Sequence, residues 1–271
     1  MSDMQGSLVC VGVGMKLGAH ISPIAKSHIE QADVVFCLVS DGLVELWIKE
    51  MSSEFISLQP FYKCHKNRML CYQSMVDVIV EKVSTGMKVV GAFYGHPGVF
   101  ACVPHLAIEE SRLLGFSAYM EPGISADDCL YADLGIDPGA YGCSQFETSQ
   151  FMFYQRKIDL GAYLILWQVA VAGDTTVSKY ETGMRHRRVL IELLQHHGYN
   201  LNHQVILYES PTLAINQPRI EHIPLSELVH AEFNQQTTLV IPPFEKLLRN
   251  EAVLSRLNAI KGEEPKLRII N

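Results

Sequence analysis

Short apolar runs that stop at glycine or proline, separated by segments of helical period, dominate the pattern of this chain. Residues 7–14 (SLVCVGVG) read as a buried strand ending in a glycine turn. Ile21 to Gln31 follows with helical period, and ADVVFCLVS (32–40) is the next strand. In residues 68–86, Met69, Tyr72, Met75, Val76, Ile79, Val80 and Val83 form one helical stripe that closes at Gly86. MKVVGAFYG (87–95) and FSAYMEPG (116–123) read as strands on either side of a helix at 105–115. Strands that alternate with helices predict α/β layers with parallel pairing.

A second series begins near residue 122. Residues 124–135 read as a helix with Ser125 as N-cap and Asp127 and Asp128 in its first turn. Residues 162–173 (AYLILWQVAVAG) read as one continuous apolar strand, and 185–198 as a helix closed by Gly198. HQVILYES (203–210) and QTTLVIPP (236–243) are the remaining strands, and residues 244–260 read as one terminal helix packed on the second half. The expected organisation is a two-lobed α/β chain, each lobe a sheet flanked by helices with a cofactor cleft between them. Residues 1–121 form the first lobe, 122–243 the second, and 244–271 a C-terminal helix and tail.

Composition narrows the partners. With 48% hydrophobic and 19% charged residues, a chain of 271 residues buries a real core and is not disordered. A net charge of −7 argues against a broad nucleic-acid footprint. The seven cysteines form no CxxC pair and sit mostly in apolar runs, which argues against a disulfide scaffold or zinc ribbon and for a reducing cytoplasm. Cys64-His65 with Cys71 is the one near-cluster, and no second half matches it. The start, MSDMQGSLVCVGVG, has no basic n-region, and the longest apolar run, Tyr163 to Gly173, is about half a membrane span. The expectation is a soluble cytoplasmic protein without a metal, membrane or nucleic-acid partner.

Four features carry chemistry. The turn Gly12-Val13-Gly14 lacks the third glycine of a dinucleotide fingerprint, since Leu17 stands there, and no acidic residue ends the second strand. A nicotinamide-binding domain is disfavoured, and the turn is left as either a connection or a phosphate contact. In FYGHPGVF (93–100), glycine and proline fix the backbone from which Tyr94 and His96 project. That loop lies at the carboxyl edge of a sheet, where open α/β proteins bind ligands. MEPGISADD (120–128) is a second such turn, entering a helix N-terminus that favours a carboxylate or phosphate. In FYKCHKNRMLCY (61–72), Arg68 and Tyr72 are four apart and share a helix face, with Tyr62 just upstream. A guanidinium in contact lowers a phenol's pKa from about 10 and makes it a general base. The alternative is an arginine packed over a half-buried tyrosine. Gln168 interrupts an apolar strand, and its amide satisfies either local backbone or a polar ligand.

The order of glycine turn, ADVVFCL, GHPGVF, PGISADDCL and a late IPP resembles the tetrapyrrole methylase superfamily, two-lobed enzymes that bind S-adenosylmethionine between lobes. More closely, FY…R…Y, VVGAFYGHPGVFACVPH, PGISADDCLYADLGIDP, FETSQFM and LVIPP are similar to the borosin peptide α-N-methyltransferases, to about Pro243. Met15-Lys16-Leu17 and Gly95-His96-Pro97 depart from the tetrapyrrole branch, and Gln59 departs from some borosins, which carry tyrosine there. The resemblance implies catalytic roles for Arg68, Tyr72 and Tyr94, with Tyr62 beside the peptide. It implies cofactor contacts from Tyr94, His96, Val99, Cys102, Ser125, Ala126, Gln168, Tyr208, Thr237 and Thr238. The implied activity is iterative methylation of backbone amides of a ribosomally made precursor, with S-adenosyl-L-homocysteine as by-product, in RiPP biosynthesis. A homodimer, with two precursors bound, is also implied. KGEEPKLRIIN has no apolar, repeat-like segment, so the expected form is the separate enzyme of a split system, acting in trans. The rivals are a tetrapyrrole C-methyltransferase and a catalytically inactive peptide-binding relative.

Overall fold

The structure, a computed structural model, describes residues 6–261. The readings of the extreme N-terminus (1–5) and of the polar end (262–271) lie outside these residues.

The first half runs β1 (Ser7–Gly12), α1 (Pro23–Gln31), β2 (Val34–Leu38), α2 (Gly42–Glu50), β3 (Phe55–Ser57), α3 (Arg68–Ser84), β4 (Lys88–Phe93), α4 (Val103–Leu113) and β5 (Ser117–Glu121). Its five strands pair in parallel in the order β3-β2-β4-β1-β5. The period of two in β1 decides the layers. Leu8 and Cys10 face Met75, Ile79 and Ala107 of α3 and α4, whereas Val9 and Val11 face Ala25, Ile29, Val44 and Ile48 of α1 and α2. A strand covered on both faces needs apolar residues at successive positions, as in β2 and in the bodies of β1 and β4, whereas the edge strand β5 is partly exposed. The segment 40–57 had given no clear sequence signal, yet it forms α2 and β3. Asp41 caps α2 by accepting the Leu43 N–H at 2.8 Å.

The second half runs α5 (Ala126–Leu134), α6 (Pro138–Tyr141), β6 (Cys143–Glu147), α7 (Thr148–Phe153), β7 (Tyr163–Trp167), α8 (Met184–His197), β8 (Gln204–Glu209), β9 (Arg219–Pro224), β10 (Thr238–Ile241) and α9 (Glu251–Lys261). Its sheet has the order β6-β7-β10-β8-β9. Leu164, Leu166, Leu207 and Leu239 pack under α7 and α8, and Ile165, Ile206, Tyr208 and Val240 pack against α5.

The pairing of this sheet is mixed, and two expectations about the second half fail. Only β6 and β7 pair in parallel, and the other three pairs are antiparallel. No helix crosses over between β8 and β9, and a short connection can join only antiparallel neighbours. The run 162–173 is not one strand. β7 ends at Trp167, Gln168 adopts φ 56°, and Val169–Val171 form a 3-10 turn. Both arms are buried, so apolar periodicity alone could not reveal the break. The terminal helix is shorter than read and does not pack on the sheet: α9 begins at Glu251, and Val253, Leu257 and Ile260 are each about half exposed. Phe244 is what docks, its N–H donating to the Leu160 carbonyl at 2.7 Å.

Among the described residues, no helix is long and apolar enough to cross a membrane, and no group of three metal-ligating side chains is assembled.

Candidate active site

A cavity of about 850 Å³ lies between the sheets. Every strand of the parallel sheet sends its carboxyl-terminal exit to it: Met15 after β1, Leu38 to Ser40 after β2, Ser57 at the end of β3, Tyr94 to His96 after β4, and Ser125 to Asp127 after β5. Trp167, Gln168, Tyr208, Ser210 and the segment Gln235 to Thr238 contribute from the second sheet, Thr237 excepted. At Gly95, which lines the cavity, the chain crosses two further glycines. A Cβ on Gly12 or on Gly123 would collide with the Gly95 carbonyl, and Gly14 and Gly95 exchange backbone hydrogen bonds at 3.2 and 2.9 Å. The first glycine turn therefore serves close backbone approach.

The tyrosine cluster is assembled by the start of α3. Asn67 caps the helix through the Met69 N–H at 2.8 Å, so Arg68 occupies its first turn and Tyr72 the next. Tyr62, on the preceding 3-10 turn, meets Tyr72 edge-to-face with ring centroids 6.1 Å apart. Arg68 Nη1 donates to the Lys179 carbonyl at 2.8 Å, and Nη2 lies 3.8 Å from Asp174. Burial pushes the Tyr72 phenol up, while the Arg68 charge and a hydrogen bond from Tyr62 pull it down; the net direction is up. The expected lowering by Arg68 is thus present but outweighed by desolvation. Burial likewise raises Tyr62 and Tyr94. Tyr94 is 47% exposed, but to the cleft, whose walls surround its phenol.

The other expected positions divide. His96, Val99, Ala126, Gln168 and Thr238 line the cavity with the tyrosines and Arg68. His96 Nδ1 accepts the Gly98 N–H at 2.8 Å, which fixes the ring. Ser125 lines it too, but its hydroxyl turns to Asp127 and Asp128 in the first turn of α5. Those carboxylates already compensate the helix N-terminus, so the expectation of an anionic ligand there is withdrawn. Tyr208 offers only its ring, because its hydroxyl donates to Asp133 at 2.8 Å. Cys102 and Thr237 do not line the cavity. Cys102 sits behind Tyr72 at the start of α4. Thr237 is fully buried, with its hydroxyl donating to Glu209 at 2.6 Å and accepting from the Asn234 N–H at 2.8 Å. Its carbonyl accepts the Val169 N–H at 3.3 Å and so braces the Gln168 turn from behind.

Sequence reading missed Glu45, Lys63, Phe100, Trp167, Tyr180, Gln235 and Gln236, all of which line the cavity. Phe100 and Trp167 have ring centroids 5.8 Å apart and join the two halves. Trp167 had a signal, since it precedes the odd Gln168, whereas Tyr180 follows a polar loop and had none.

Residues 7–229 match the family Tetrapyrrole (Corrin/Porphyrin) Methylases. The chain belongs to that family. It is 35% identical over 269 residues to a methyltransferase/ribosomally synthesized type I borosin cyclic peptide precursor of Coprinopsis marcescibilis, covering 96% of this chain and 68% of the relative. It is also 35% identical over 265 residues to the methyltransferase/ribosomally synthesized gymnopeptides precursor of Gymnopus fusipes, covering 96% and 62%. The chain thus spans about two thirds of the length of these relatives. A cobalamin biosynthetic enzyme, cobalt precorrin-4 methyltransferase, shares the fold with a TM-score of 0.64 at 15% identity, over 89% of this chain and 95% of that one.

The protein is therefore a methyltransferase of the tetrapyrrole methylase family, which implies S-adenosylmethionine as methyl donor. The cavity residues fit such a group. Its volume is that of a cofactor pocket, with carboxylates (Glu45, Asp127), amides (Gln168, Gln235, Gln236) and aromatic rings for a cationic nucleoside.

Proposed function

We propose that this tetrapyrrole-family methyltransferase methylates backbone amides of a separate, ribosomally made precursor peptide, using S-adenosylmethionine, as a cytoplasmic homodimer with two precursors bound. The observation that carries the reading is the cluster of Arg68, Tyr62, Tyr72 and Tyr94 on the wall of a cofactor-sized cavity. The names of the relatives, which join a methyltransferase to a cyclic peptide precursor, support a peptide substrate.

S-adenosylmethionine supplies an electrophilic methyl group on a sulfonium. Tyr94, His96, Val99, Ala126, Gln168 and Thr238 would hold it, with the Tyr208 ring as a wall and Asp127 and Glu45 answering its positive charge. A peptide N–H is a very weak acid, and its nitrogen lone pair is delocalised into the carbonyl. The chain must therefore remove the amide proton and stabilise the charge left on the peptide. Tyr72 Oη takes that proton. Arg68 favours the phenolate that does so, and Tyr62 donates a hydrogen bond to the same oxygen.

The test is tandem mass spectrometry of small proteins expressed beside this chain. Successive one-methylene increments on backbone nitrogens of a partner protein establish the reading. Methyl groups on the chain itself would replace trans by cis action. A bound tetrapyrrole pigment, with every peptide unmodified, would sink the proposal.

A further inference from the structure

We propose that Asp174 is a positioning residue: it folds the strap 174–180 so that two strap carbonyls seize Arg68 and hold it beside the tyrosine pair. Asp174 is only 4% exposed, and both its oxygens are spent on the strap. Oδ1 accepts from the Thr176 N–H at 2.9 Å and from the Thr176 hydroxyl at 2.6 Å. Oδ2 accepts from the Ser178 and Lys179 N–H groups, each at 2.9 Å. Four donors on one carboxylate define the loop that lies between them.

That loop needs defining. Val177 has φ 52°, a left-handed backbone that a β-branched residue rarely adopts. Such a conformation persists only where its surroundings over-determine it. Folded this way, the strap presents two acceptors to one residue. The Val177 carbonyl receives the Arg68 backbone N–H at 3.0 Å, and the Lys179 carbonyl receives Arg68 Nη1 at 2.8 Å. The next residue, Tyr180, lines the cavity. The strap follows β7 of the second sheet, whereas Arg68 begins α3 beneath the first, so the clamp is made across the two halves.

A simple ion pair does not describe this arrangement. At 3.8 Å, Arg68 Nη2 is beyond hydrogen-bond reach of Asp174, whose lone pairs are already engaged. Asp174 acts on Arg68 through the strap carbonyls. The groups that face the Tyr72 phenol are then Arg68 and Cys71 from its own helix, Tyr62 from the preceding turn, Cys102 from the start of α4, and Tyr94 after β4. Arg68 is the cation in that set, so its placement decides the charge Tyr72 feels.

This inference rests on the roles proposed above for Arg68 and Tyr72, but its test reads placement whether or not any peptide is methylated. In the full-length chain carrying ring-labelled tyrosine, the Tyr72 resonance is assigned with Tyr72→Phe and titrated by NMR. Asp174→Asn keeps an acceptor for Thr176 but turns an amide donor towards Ser178 and Lys179. It should raise the Tyr72 midpoint by about half a unit or more. Arg68→Ala should raise it at least as far, and adding Asp174→Asn to Arg68→Ala should change nothing more. Hydrogen exchange at the Arg68 amide should quicken about tenfold or more in Asp174→Asn. Thr176→Val, which removes one donor, should move both readouts the same way by less, and it serves if the first variant does not fold. An unchanged midpoint with unchanged exchange overturns the proposal. So does a lowered midpoint, which would make Asp174 a counter-charge only, and so do additive shifts in the double variant.

Discussion

The two sheets border the same cavity but build their sides of it by different physics. The parallel sheet delivers its residues at strand exits, because every one of its five strands runs the same way and all carboxyl ends converge on one edge. Its contribution is set by topology. The second sheet, mostly antiparallel, has no such edge. Its wall is held by a buried polar network instead. Glu209 accepts from Thr237, Asn234 and Arg219, and that network fixes the segment carrying Gln235, Gln236 and Thr238. The comparison teaches that the first wall tolerates side-chain changes behind it, whereas the second depends on groups that never touch the cavity.

The largest effect that tests this contrast is on the first wall itself. Tyr72→Phe should lower peptide methylation by about 10²–10⁴-fold, measured by mass spectrometry of the co-expressed precursor. Cofactor affinity, read by calorimetry, should stay near that of the parent. Because the phenol is raised and must be ionised to accept a proton, the parent's rate should climb steadily from pH 7 to about 10 without a plateau. A plateau near neutrality would exclude Tyr72 as the base.

On the second wall, Thr237→Val should cost about 1–3 kcal/mol of stability, because Glu209 and the Asn234 N–H lose a buried partner. It should also weaken cofactor binding, although Thr237 lies outside the cavity. If chemical denaturation shows the variant as stable as the parent, the network is not what holds that wall.

The strap offers a pH-dependent measurement. Hydrogen bonds from Thr176, Ser178 and Lys179 overcome the cost of burial and hold the Asp174 carboxyl at about 2, below its ordinary 3.8. A depressed folded-state pKa means stability that is fully present above pH about 4 and lost as pH falls through about 2. The size is about 2 kcal/mol, and Asp174→Asn should flatten the stability curve over that interval.

The smallest effect concerns the bend between the walls. Gln168→Gly should stabilise the fold by up to about 1 kcal/mol, since glycine adopts φ 56° without strain, while Gln168→Ala keeps the strain and should leave stability nearly unchanged. If both bind cofactor as tightly as the parent, the amide serves only the turn.

Legibility in the sequence followed the same division. Gly95-His96-Pro97-Gly98 and Pro122-Gly123 announced strand exits, because a parallel strand must leave through a turn and glycine and proline are what such turns use. Ser125 as N-cap, with Asp127 and Asp128 in the first turn, was likewise visible, being a local pattern, and the structure completes it as a capping box. The break at Gln168 was not, since LILWQVAVAG is apolar on both sides of a bend that is braced by the Thr237 carbonyl, far along the chain. Nor was the strap. DTTVSKY reads as a polar loop, and only the meeting of Asp174 with α3 shows what it holds. Thr237 and Cys102 were expected in the cavity from resemblance, and neither reaches it.

The three-glycine crossing at Gly95 has a consequence for anyone reshaping this enzyme. Where Gly12, Gly95 and Gly123 meet, no side chain can be shortened to gain room; one added at Gly12 or Gly123 collides with the Gly95 carbonyl, and one at Gly95 is strained by its φ of 65°. Depth at that point is a constant of the scaffold. A library aimed at bulkier substrates should leave those positions untouched and vary Phe100 and Tyr180, which border the cavity and are half exposed.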